Sequence, residues 1–110
     1  RVKERHFHDA QDWHANDAET SLMLALKPAM VHEELLSNSD DPDRTDDCVF
    51  AHPVNRTSAN GVTGKPSLAS SEKGEELFGW MVEDLARLIE KGMRETSPLQ
   101  YSYYEKIEMN

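Results

Sequence analysis

His14 and Glu19, five positions apart, are among the residues of this 110-residue sequence whose types could do chemistry. An imidazole with an ordinary pKa near 6.5 can take up or release a proton at neutral pH, and a carboxylate within reach can fix its tautomer. On spacing alone, a histidine followed by a glutamate is more often a surface pair than a site. Trp13, immediately before the histidine, offers a flat apolar face whose first use is packing and whose second is stacking on a ligand. His6 and His8 alternate with Phe7 close to Asp9 and Asp12, residue types that can hold a metal, but loop histidines beside acids are more commonly solvated. His52, before Pro53, reads as a partly buried polar residue. Cys48 is the single cysteine, so neither an internal disulfide nor a thiolate zinc site can be built from this chain, in keeping with a reducing, cytoplasmic setting.

The elements that must carry these residues are few. Residues 1–13 show no sustained period of 2 or 3.6 and read as a loop or short turns. Asn16 or Asp17 can cap a helix that runs to about Lys27, with Glu19 in the first turn where the dipole favours an acid. The stretch Ser21 to Leu26 is apolar almost all round, which predicts burial on more than one side. Pro28 can open a further short turn through Leu36. Residues 37–47 are turn-forming and acidic, and are expected to be an exposed, mobile loop. Cys48 to Ala51 is the one plausible strand.

After Asn60-Gly61, Gly64 and Pro66, a serine cap at 70 or 71 predicts a long helix from about Glu72 to Lys91, closed by Gly92. Leu77, Phe78, Met81, Val82, Leu85, Leu88 and Ile89 form one stripe on it. With Met23 and Met30, this stripe is expected to be core. Residues 97–110 are a tail in which Tyr101, Tyr103, Tyr104 and Ile107 stand among charges. Two helices and one strand are too little to cover these apolar faces, so another piece of protein is expected to complete the fold.

Composition narrows the function. Twenty-one acidic against twelve basic side chains give a formal net charge of −9, a sign that repels nucleic-acid phosphate and anionic lipid. No apolar run approaches the roughly 20 residues of a membrane span, and nothing at the start reads as a signal peptide. The chain is therefore expected to be soluble, with neither nucleic acid nor membrane as a partner. It begins at Arg1 without a methionine, from which further protein upstream, or on another chain, is expected.

Two ordered motifs resemble the creatininase (creatinine amidohydrolase) family. The first is His14-Ala15-Asn16-Asp17-Ala18-Glu19-Thr20-Ser21, opening an apolar helix, with Pro28 and Val31 beyond it. The second is Gly61-Val62-Thr63-Gly64-Lys65-Pro66, leading to Ser70-Ser71-Glu72-Lys73-Gly74. The resemblance implies an α/β/α sandwich with a parallel sheet, of which residues 1–110 would be the C-terminal part of one domain, assembled into a homo-oligomer, a hexamer in the family.

It also implies hydrolysis of a C–N bond in a small-molecule substrate, using two divalent ions, zinc or manganese, that supply hydroxide and polarise the carbonyl. The family's metal ligands lie in its N-terminal half, in a Glu-x-His motif, a following Asp and a Gly-His-x-x-Asn segment, none of which occurs here. His14 matches the family's catalytic histidine and would shuttle the proton; Glu19 matches its partner glutamate. Trp13 and Asn16, which flank the histidine turn, are the expected substrate contacts, with Asn16 standing where the family usually has glycine. A cyclic amide, a formamide-like or peptide bond, or a cyclitol ketone would suit such a site. The rival expectation is a metal-free binding or structural piece that completes a partner's fold.

Overall fold

The computed structural model describes residues 6–11 and 13–105. Helix α1, Asp17–Leu26, starts at Asn16, whose extended backbone and side-chain oxygen suit a cap and accept the Glu19 N–H at 3.3 Å. It stops at Lys27, whose N–H bonds the Met23 carbonyl at 2.8 Å. Pro28 then opens a 3-10 turn, Pro28–Met30, and a second follows at Glu33–Asn38. A one-turn helix α2, Val54–Thr57, and a 3-10 turn, Pro66–Leu68, lead to the long helix α3, Ser71–Arg94. Ser70 caps α3 by accepting the Lys73 N–H at 3.3 Å. Helix α3 runs past Gly92, so that glycine lies inside the helix instead of closing it.

Among the described residues there is no strand, only two isolated antiparallel bridges, His14 with Thr63 and Asp41 with Gly64. The strand expected at Cys48 to Ala51 does not form. Val49 and Phe50 are 89% and 76% exposed, and backbone that has no neighbour to pair with gains nothing from extending. What is described is mostly helical, and the parallel sheet of the α/β expectation is not built from these residues.

The fold is held where α1 crosses the start of α3. Gly74 sits so close to α1 that an added Cβ would overlap the Ser21 carbonyl. This approach brings Lys73 Nζ onto the buried Asp17 carboxylate, at 2.7 Å from Oδ1 and 2.5 Å from Oδ2. Ser21 Oγ donates to Asp17 Oδ1 at 3.0 Å and accepts the Ser70 N–H at 3.1 Å. The apolar part of the contact is small: Phe7, Ala18 and Leu77, with Trp13 and Leu22 packed against them. Phe7 comes from the segment read as loop, yet it is fully buried, with Lys73 Nζ 5.5 Å above its ring centroid.

Beyond Leu77 the apolar stripe of α3 is largely exposed. Phe78, Met81, Val82, Leu85, Leu88 and Ile89 are between 44% and 66% exposed. Met23 and Met30, expected in the core with them, are also exposed, as is Leu26. A 24-residue helix spans far more length than the contact with α1 can cover. The radius of gyration is accordingly 20.6 Å, against about 13 Å for a compact chain of 100 residues. No helix among the described residues is long and apolar enough to cross a membrane. Tyr101, Tyr103 and Tyr104 of the tail are exposed; Ile107 lies outside the described residues.

The acidic segment 37–47 is exposed for most of its length but anchored at Asp41, which is buried. Asp41 takes both terminal nitrogens of Arg44, at 2.6 and 2.8 Å, together with Ser58 Oγ and the Ala59 N–H. Its backbone exchanges two hydrogen bonds with Gly64, at 3.1 and 2.6 Å. The buried point in this otherwise exposed segment exists because Arg44 supplies a fork that fits one carboxylate. His52, expected to be partly buried, is exposed.

Three outcomes follow for urea unfolding of the complete protein. Lys73→Met leaves the buried Asp17 charge unpaired and lowers stability by about 3 kcal/mol, the low end for such a loss because Lys73 keeps some solvent. Gly74→Ala is destabilising by about 1–2 kcal/mol, since overlap with Ser21 outweighs the roughly 1 kcal/mol by which alanine favours a helix; Gly79→Ala, with open space around it, shows the opposite sign. The Arg44 fork and the hydrogen bonds from Ala59 and Ser58 hold the Asp41 carboxyl far below the usual carboxylate range. A depressed folded-state pKa stabilises fully above the unfolded value, near pH 4, and progressively less as pH falls towards the folded value. Asp41→Asn is therefore less stable than wild type at neutral pH, and the gap narrows below about pH 4; a gap that widens with acid would contradict this.

Candidate active site

The turn that carries His14 is fixed by its backbone. The His14 carbonyl accepts the Thr63 N–H at 2.9 Å and Thr63 Oγ1 at 3.3 Å, and Thr63 is fully buried. The next residue, Ala15, has φ 50, a left-handed conformation that costs a non-glycine residue energy and needs support. Support comes from Glu19, whose Oε2 accepts the Ala15 N–H at 2.5 Å, and from Thr20 Oγ1, which donates to the Ala15 carbonyl at 3.4 Å. The His14 side chain itself is exposed. The imidazole thus stands exposed on a backbone held by hydrogen bonds.

This geometry revises two expectations. Glu19 was expected to bond the imidazole; its carboxylate instead reaches back to the main chain one residue before the cap, a variant of the capping box in which Asn16 serves the Glu19 N–H in return. Asn16 was expected to touch substrate, but it has no exposed surface, and its Nδ2 donates to Asp9 Oδ1 at 3.3 Å. A cap buried under its own helix start cannot also face a ligand. Trp13 is half-buried and meets Phe7 edge to face at 5.8 Å between centroids, so part of its surface is used in packing.

The Glu-Thr-Ser and Glu-Lys-Gly motifs acquire physical meaning together. Glu19 and Thr20 hold the turn, Ser21 joins α1 to the α3 cap, Lys73 neutralises Asp17, and Gly74 permits the close approach. Asp9 was weighed in the sequence only as a neighbour of His6 and His8 in a possible metal site; in the structure it serves the backbone. Its Oδ2 accepts the N–H groups of Asp17, at 3.1 Å, and Lys65, at 2.7 Å. No periodicity marks such a residue, because one partner lies on a distant loop and the others at a helix start several residues on.

Among the described residues no group of three or more His, Cys, Asp or Glu could hold a metal ion. His6 is engaged elsewhere: its Nε2 lies 2.5 Å from Glu76 Oε2, and its ring stacks on Trp80 at 6.2 Å. His8 is exposed, and Asp12 lies outside the described residues. His14 itself lines neither of two nearby hollows. One of about 450 Å³ is lined by His8, Asp9, Asp40, Asp43 and Lys65 among others. An apolar one of about 510 Å³ lies against α1, lined by Ala15, Glu19, Leu22, Met23, Leu26 and Val31 among others.

Comparison with known proteins agrees with this arrangement. The crystal structure of the "putative creatinine amidohydrolase from Bacteroides fragilis NCTC 9343" superposes with a TM-score of 0.64 at 25% identity, covering 91% of this chain. The match takes in 41% of the length of that protein, so this chain spans about two fifths of it. No curated protein matches the chain. The family model for creatinine amidohydrolase matches residues 1–89, and the chain accordingly belongs to the creatininase family.

Proposed function

We propose that the complete protein is a metal-dependent hydrolase that cleaves an amide or cyclic-amide C–N bond with water, and that His14 delivers the proton to the departing nitrogen. In that reaction the C–N bond breaks, the carbonyl carbon gains the hydroxyl of water and the nitrogen gains a proton. The observation that carries this reading is an exposed imidazole on a backbone pinned by Thr63 and Glu19, in a chain of a family named for amide hydrolysis. A general acid must be held within hydrogen-bond reach of the atom it protonates, and a fixed turn with a free ring meets that need. Glu19 then acts through the main chain of the turn and not through the imidazole.

Trp13, beside His14, is the side chain we assign to substrate, through whatever part of its face the Phe7 contact leaves free. The two divalent ions, zinc or manganese, are assigned to protein outside this chain, since the residues described here do not make a ligand set. The bare stripe from Phe78 to Ile89 is where that complementary protein would pack, either the rest of the domain or another subunit of a homo-oligomer. The uncovered apolar length supports this, because stripes of that size in water are normally covered by protein.

The test uses the complete protein with creatinine as the first probe, followed by other cyclic amides. His14→Ala is expected to lower kcat about 100-fold or more while the far-ultraviolet circular dichroism stays as in wild type. Removing metal with a chelator is expected to abolish turnover, and manganese or zinc to restore it. Full turnover by His14→Ala would remove the proposed role of the histidine, and turnover indifferent to the chelator would remove the metal.

A further inference from the structure

The His14 turn and the Gly64 loop are joined by two backbone-level links, of which the Thr63 bond to the His14 carbonyl is one. The other is Asp9. Its carboxylate takes one N–H from the start of α1, Asp17, one from the loop, Lys65, and one side-chain N–H from Asn16. These are charge-assisted bonds, stronger than neutral ones, and the bond to Asp17 satisfies a donor that the helix leaves open at its N-terminus. The fit is close enough that a Cβ on Gly64 would overlap Asp9 Oδ2 and lie 3.0 Å from Asn16 Cβ; Gly64 also has φ +131, which other residues rarely adopt.

The Asn16 amide has a fixed orientation. Its Nδ2 gives to Asp9 while its Oδ1 takes the Glu19 N–H, so turning it over would set an NH2 against that N–H. Glu19 in turn holds Ala15, the residue after His14. A directed chain therefore runs from the Asp9 carboxylate through the Asn16 amide and the Glu19 N–H, and returns through the Glu19 carboxylate to the histidine turn. We infer that Asp9 is the positioning residue for His14: its carboxylate locks the histidine turn against the Gly64 loop. The inference rests on the proposed role of His14, and it adds a residue outside both of the sequence motifs.

Substitutions at both ends of the Asp9–Asn16 bond separate this role from bulk stability. Asp9→Asn is nearly isosteric; its oxygen can still take the two backbone N–H groups, but its NH2 then faces the Asn16 NH2 and one bond becomes an opposition of donors. The double variant Asp9→Asn with Asn16→Asp restores the order of donor and acceptor with the same total charge, and aspartate caps a helix about as well as asparagine. In the complete protein, kcat and KM are measured on creatinine, and the His14 ring resonance is followed by NMR with labelled histidine.

The expected result is a kcat lowered about 10- to 100-fold by Asp9→Asn with KM within about threefold, a His14 ring signal that moves or broadens, and return of both in the double variant. An unmoved His14 signal in Asp9→Asn would overturn the inference whether or not creatinine is a substrate. So would a moved signal with unchanged kcat in a protein that His14→Ala inactivates, or a double variant that fails to recover the signal. Loss of the underlying functional reading shows differently, as His14→Ala retaining wild-type turnover.

Discussion

One buried ion pair decides how this chain is arranged. Asp17 and Lys73 meet where α1 and α3 cross, the carboxylate almost wholly out of water and the ammonium largely so. Taking two charges out of water is expensive, and the cost is recovered only when the remaining polar atoms find partners. Ser21 supplies one such partner, and it also ties the α3 cap to α1 through Ser70. Gly74 makes the arrangement possible by leaving room for the Ser21 carbonyl. Polar contacts, more than apolar area, therefore specify the crossing: among the described residues the buried apolar cluster there is Phe7, Ala18 and Leu77.

From that crossing the site follows in a few steps. Fixing α1 against α3 fixes the cap at Asn16, and the cap fixes the turn before it. The His14 carbonyl then reaches Thr63, which brings the Gly64 loop alongside. The segment containing Asp41 pairs with the same Gly64 from the other side. Residues distant in sequence thus converge on one short loop, and the histidine stands at its edge with its ring unspent. Where side chains of the motifs were expected to do chemistry directly, most of them shape backbone.

The sequence was most informative where local rules act alone. Helix α1 with a cap at Asn16 or Asp17, the start of α3 at Ser70 or Ser71, and the turn opened by Pro28 were all readable, since each depends on capping or on proline geometry; the structure selects Asn16 and Ser70. Family membership was readable from two ordered motifs. The failures share one cause, which is that burial depends on partners that no local pattern names. The Phe78 to Ile89 stripe has core periodicity without a core; Phe7 has none and is the most buried aromatic ring described. Cys48 to Ala51 has strand-like residues but no strand to pair with. At the site, residue types pointed to His14, while the direction of the Glu19 carboxylate and the burial of Asn16 needed the folded turn. Asp9 drew notice only for a metal, and its role as an acceptor was not legible, because it depends on the approach of the Lys65 N–H.

The bare methionines of the two helices carry a chemical consequence. Met23 on α1, Met30 in the turn after it, and Met81 and Met93 on α3 are exposed in this chain. Thioether sulfur oxidises readily to sulfoxide when peroxide can reach it, and the product is polar. Oxidation at Met81 would set a polar sulfoxide within the apolar stripe of α3 and interrupt it.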